Sequence, residues 1–219
     1  MTTVSGRMSR SDRDAIMTAT AAAEAETEAE IVPYVVWRAS SGAEEAWQAA
    51  ALCAVLAAAA AGAVWHFAAS WQSHPLPWLV LPAAAGAAVG YVAGAFSGRL
   101  YRVLAGGNLL DERALARAKS AFVEETVFDT VDRTGILVFV AWVEHRALVL
   151  ADEGINARVA PEEWQAIVDR LTSAIGRGHV ADGLAAAVRE CGQLVKERGG
   201  ARKESDQNEL SDAPRVVER

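Results

Sequence analysis

The chain has 219 residues, 52% of them hydrophobic, and a formal net charge of −7. That length suffices for one modest domain plus a membrane anchor. The acidic balance excludes a general nucleic-acid binder, which needs a basic face. The apolar excess is local: between Glu45 and Arg99 there is no Asp, Glu, Lys or Arg. The first thirty residues hold no apolar h-region, so no signal peptide is expected. The two cysteines, Cys53 and Cys191, fall in an apolar block and a predicted helix, so no disulfide is expected, and no Cys/His set has zinc spacing.

Residues 11–30 predict a helix, rich in alanine and glutamate and capped by Ser9 or Ser11. The β-branched and aromatic run Ile31–Trp37 predicts a strand, and Pro33 within it points to an edge or a bulge. Residues 11–45 are therefore the first part of a soluble domain. Residues 46–98 predict a transmembrane hairpin, with spans of about 47–67 and 78–98, because a spanning helix needs about 20 mostly apolar residues. The connection, Trp71 to Pro77, is polar and carries two prolines. Trp47, Trp65, Trp71 and Trp78 fall near the expected helix ends, where indoles favour the interface.

In the second span Gly86, Gly90, Gly94 and Gly98 recur every fourth residue and line one helical face. Small residues let a second helix approach closely, the main source of packing in lipid. The alanine-rich first span is the natural partner, and a homodimer through the same glycine face is the alternative. Arg38, Arg99 and Arg102 flank the outer ends while the connection has no Lys or Arg. The positive-inside rule then puts both termini in the cytoplasm.

After the hairpin, residues 105–108 predict a linker and Asp111–Thr130 a helix. Gly135–Trp142 is nearly all apolar, the mark of a strand covered on both faces. A turn at 143–146 leads to a second strand, 147–151, expected to pair antiparallel with the first. Pro161–Ile175 and Ala181–Lys196 predict two more helices, the first with Pro161 in its opening turn. Residues 111–197 thus complete the soluble domain, and 198–219 predict a mobile charged tail. The expected class is α/β, a small sheet sandwiched by helices, with the two-helix hairpin inserted after the first strand.

Thr134–Val140, then Glu144–Ala147 and Leu150–Ile155, resemble the core signature of the TPM domain family. There a Gly-[Ile/Val]-Leu strand leads through a short charged turn to a second strand and an acidic, glycine-bearing loop. The helix opening Pro161–Trp164, the break at Gly176–Gly178 and the last helix fit the same layout, and residues 21–32 resemble the family's first helix and strand. The resemblance covers about 11–38 and 111–196, and it points to a bacterial membrane subgroup with an inserted hairpin. It implies an α/β sandwich, roles ranging from weak acid phosphatase to accessory protein, and Ca²⁺ or other divalent-metal binding in some members. The chain lacks the family's exported leader and its D-x-x-x-x-L entry, which argues against an exported phosphatase role.

If the strands at 31–37 and 136–142 run parallel, Glu30, Asp132, Asp152 and Glu153 converge at one end of the sheet. Clustered carboxylates bind hard cations such as Ca²⁺ or Mg²⁺, and such a metal can orient a phosphate. Equally, Asp152, Glu153 and Gly154 serve as turn residues. His66, His74, His145 and His179 are isolated in sequence, without ligand spacing. The expectation is an integral inner-membrane protein, in contact with lipid, whose cytoplasmic domain is a non-catalytic module. That module would bind a membrane or cytoplasmic protein, perform homo-oligomeric contacts, and take a divalent ion. A metal-dependent phosphatase of TPM type is the alternative.

Overall fold

The computed structural model describes residues 8–68, 75–202 and 210–217. In order the elements are α1 (Arg10–Glu26), β1 (Glu30–Val36), α2 (Ala43–Ala68), α3 (Pro75–Phe96), α4 (Gly98–Ala105) and α5 (Gly107–Glu124). There follow β2 (Gly135–Ala141), β3 (Arg146–Ala151), α6 (Glu153–Asn156), α7 (Pro161–Gly176), α8 (Val180–Glu197) and β4 (Arg215–Val217). The chain divides into two compact units. One is Met1–Ser40 with Asp111–Arg219, and the other is Ser41–Leu110.

The first unit is built on a four-stranded sheet of order β3-β2-β1-β4. β1 and β2 run parallel in the register Ile31↔Ile136 to Val36↔Ala141, and β2 and β3 form an antiparallel hairpin. Side chains alternate across a strand, so this register sorts the apolar run onto two faces. Ile31, Val35, Ile136, Val138 and Val140 pack under α1, α7 and α8, around Ile16, Trp164, Leu171, Leu184 and Val188. Val32, Tyr34, Val36, Leu137, Phe139 and Ala141 pack on the other side against Ala114, Ala118 and Ala121 of α5. Every residue of β1 and β2 is buried, as a strand covered on both faces requires.

The local signals are physical. Ser9 caps α1 in a capping box, its hydroxyl accepting from Asp12 N–H while the Asp12 carboxylate accepts from Ser9 N–H. Pro161 occupies the first turn of α7, where a missing N–H costs nothing. The β2–β3 turn closes with His145 in the left-handed region, φ 54°.

Three expectations change. The linker at 105–108 shrinks to Gly106, whose φ of 74° lets the chain leave α4 and enter α5 directly. The tail expected to be mobile contributes β4 at residues 215–217, which pairs parallel with β1. That short apolar pair, Val216–Val217, escapes periodicity because three residues carry no period. Finally, β1 is an interior strand rather than an edge. Pro33 is tolerated because β4 reaches only Tyr34–Val36, so the missing N–H falls where no ladder bond is required. The expected connection at 71–77 lies partly outside the described residues, and His74 and Trp71 lie there too.

The second unit holds two helices long and apolar enough to cross a membrane, Ala43–Phe67 and Leu76–Phe96. Their outward side chains are large and apolar: Leu52 is 54% exposed, Val55 65%, Leu81 68% and Val89 68%. The short helix α4 follows α3 directly, with Ser97 accepting from Leu100 N–H at its start.

Candidate functional site

The end of the sheet where β1 and β2 begin gathers the acidic residues. Asp152, where β3 hands over to α6, is 7% exposed. Its Oδ1 accepts from the Glu153 N–H at 2.8 Å, and Arg133 Nε lies 2.8 Å from its Oδ2 as an ion pair rather than an aligned hydrogen bond. Gly154 lets the two loops touch: its N–H donates to the Arg133 carbonyl, and a Cβ there would sit 2.5 Å from the Asp132 carbonyl oxygen. Asp132 and Glu153 are exposed. Glu30 is buried, and its Oε2 accepts from Leu210 N–H at 3.2 Å.

Topology therefore brings the four sequence-chosen carboxylates to one end of the sheet without making them a ligand set. Both oxygens of Asp152 are committed, one to a helix cap and one to a guanidinium, while Glu30 faces the C-terminal segment. Among the described residues no group of three or more His, Cys, Asp or Glu side chains could hold a metal ion. These residues do not fit a resident divalent cation in this arrangement, because a cation would meet Arg133 at Asp152, and the other buried carboxylate, Glu30, accepts from Leu210 N–H.

Sequence reasoning missed a second feature of this end. Glu24, on the last turn of α1, is only 4% exposed, and its Oε1 accepts from Ile31 N–H at 2.9 Å. Burial pushes the Glu24 carboxyl up to about 8, the Ile31 N–H opposes that shift, and the negative charges of Glu30 and Asp212 add to it. Arg202 donates to the Glu24 carbonyl at 2.9 Å, and Arg158 pairs with the buried Glu28. The usable signal was the run Glu24, Glu26, Glu28, Glu30 just before a strand. Its alternation on the strand side hides which members turn inward.

In the second unit the glycine face of α3 meets α2. A Cβ on Gly86 would lie 2.6 Å from the Cys53 carbonyl oxygen, one on Gly90 would overlap that of Ala49, and one on Gly94 would lie 2.8 Å from Ala46 Cα. Descending partners along an ascending glycine series mark antiparallel helices. Gly98 lies beyond this helix: α3 ends at Phe96, and Gly98 opens α4. The surface that would have served a glycine-mediated homodimer is occupied by the chain's own α2. Both cysteines are free, and burial raises the Cys191 thiol far above its usual range.

The remaining candidates are structural. Trp164 is 8% exposed in the core beneath α7. His179 precedes α8, with Nδ1 3.6 Å from Asp182, and His66 lies edge-on to Phe67 at 5.0 Å. Between α7 and α8 an open cleft of about 620 Å³ is lined by both charge signs, with Arg170 held by Glu190 at 2.6 Å.

The fold resembles that of a solved bacterial protein. The chain is similar to the BA42 protein of the psychrophilic bacterium Bizionia argentinensis, known from an NMR structure. The match has a TM-score of 0.59 and 14% identity and covers 99% of each chain. At that identity the likeness shows the fold alone. No family model matches the chain, and no curated protein matches it.

Proposed function

We propose that this chain is an integral membrane protein whose TPM-like soluble unit is a non-catalytic module for a protein partner. One observation carries the reading. The helices α2 and α3 are uncharged from residue 46 to 98 and leave large apolar side chains outward, with Phe67 86% and Phe96 77% exposed. A contiguous surface of this kind needs lipid or protein against it. Arg99 and Arg102 follow the second span immediately, which favours a cytoplasmic position for both termini in the inner membrane.

The non-catalytic part rests on the commitments of the acidic groups. Asp152 and Glu24 each accept from a backbone N–H, so they serve the fold. A divalent ion such as Ca²⁺ or Mg²⁺ enters this reading only in exchange for Arg133 at Asp152.

Alkaline carbonate washing of membranes from expressing cells tests the anchor. The protein is expected in the pellet with other integral proteins, and release into the wash would sink the membrane reading. Phosphate-ester hydrolysis by the purified protein, abolished in Asp152→Ala, would overturn the non-catalytic reading in favour of a phosphatase.

A further inference from the structure

The two sides of the sheet end differently. Beside β1, Glu24 Oε1 accepts from Ile31 N–H, Pro33 has no N–H, and β4 pairs with Tyr34–Val36. On the other side β3 is the outermost strand. It pairs residue for residue with β2, without a bulge, and carries neither Pro nor Lys. Those are the usual means of keeping an edge from pairing with another chain. The hairpin fixes where the backbone groups of β3 point. Asp152 N–H donates to the Gly135 carbonyl, and hydrogen-bonded pairs alternate along an antiparallel ladder. Arg146, Leu148 and Leu150 therefore bond to β2, while Ala147, Val149 and Ala151 turn their N–H and C=O outward. Asn156 Nδ2 reaches the Ala151 carbonyl from that side. Among the described residues no other hydrogen bond reaches these outward groups.

We infer that the outer edge of β3 is a self-pairing surface, through which two copies of the chain join antiparallel, β3 to β3, into one continuous sheet. This rests on the protein-partner reading of the sheet-bearing unit and names the partner as a second copy. A two-fold axis at Val149 makes the strand its own complement. It sets Val149 opposite Val149 of the copy, and Ala147 opposite Ala151. Every outward N–H and C=O then meets a partner, and the Ala151 carbonyl, with two lone pairs, keeps Asn156 as well. Pairing Val149 with Ala147 instead would set Ala151 opposite His145, whose N–H is already given to the Trp142 carbonyl.

The side chains favour the same register. Leu148 of one copy lies across from Leu150 of the other, and both are only half-buried in the single chain. Apolar cross-strand pairs of this kind stabilise a sheet. Arg146 falls opposite Asp152 of the copy. The Val149–Ala147 register would set Asp152 opposite Glu144, and like charges across a ladder repel.

Light scattering of the full-length protein in detergent, corrected for bound detergent, tests the pairing together with site-directed cross-linking. The wild type should have twice the mass of one chain. Val149→Pro removes an outward N–H and sets its ring against the incoming strand, while the β2 ladder keeps its bonds. It should be monomeric. In a Cys53→Ser background, a short bismaleimide should join Val149→Cys to its copy, because such paired Cα atoms lie about 5.5 Å apart. Its yield should exceed that of Val131→Cys, exposed but off the strand, by about tenfold or more, the advantage of a local over a solution concentration. Cys191 is buried and does not compete. A monomeric wild type, a folded Val149→Pro that stays dimeric, or no excess cross-linking at residue 149 would overturn the pairing. Should Val149→Pro fail to fold, the cross-link alone decides. Cross-linking of Val149→Cys only to a different protein in membranes would also overturn it, leaving the protein-partner reading with a foreign strand. The carbonate wash judges the membrane anchor separately.

Discussion

Arg133 has a φ of 57° and reaches the one deeply buried carboxylate of the acidic loop, Asp152. Its side chain is about half exposed, so the pair contributes little to stability, but it decides what Asp152 can bind. A cation must evict a cation. Arg133→Gln should therefore increase any Ca²⁺- or Mg²⁺-induced rise in melting temperature, because binding to the folded state alone stabilises it by mass action. If neither wild type nor Arg133→Gln shifts at high metal concentration, the divalent-ion role is wrong. Gly135 shows a second residue-scale constraint. It begins β2 directly beneath the Val127 carbonyl, where a Cβ would collide with backbone. That glycine was visible in sequence as the start of an apolar strand, but not as a point of backbone contact.

Helices α2 and α3 illustrate the element scale. If α2 and α3 cross a membrane, lipid offers no hydrophobic drive between them, and close backbone approach must carry the association. Gly90 is at the tightest point, with the Ala49 carbonyl against it. Gly90→Leu should push the helices apart and cost about 1–3 kcal/mol, the usual range for overpacking. Thermal unfolding in detergent measures this, with Val89→Leu on the outward face as the control expected to be silent. Equal melting temperatures for the two variants would show that the glycine face is not the contact. The recurrence of Gly86, Gly90 and Gly94 was legible as a packing face. Its extension to Gly98 was not, because Ser97 ends the helical run by accepting from Leu100 N–H and starting α4.

For the whole molecule, the sheet-bearing unit draws on both sides of the apolar segment, so the two stretches must lie on the same side of any membrane that α2 and α3 cross. Reporter fusions at each terminus should both show a cytoplasmic signal if Arg38, Arg99 and Arg102 set the orientation under the positive-inside rule. Opposite signals at the two ends would exclude a two-span hairpin, and two external signals would reverse the orientation. Composition and period alone determined the uncharged segment, the two buried strands and the flanking helices, because each is a property of neighbouring residues. Tertiary structure decided the rest. It placed α2 on the glycine face, gave Asp152 to Arg133, and turned Glu24 rather than Glu26 inward. It also recruited Val216 and Val217 to the sheet. Those outcomes depend on which groups far apart in the chain meet, and a carboxylate carries no local mark saying whether it will meet a guanidinium or a backbone N–H.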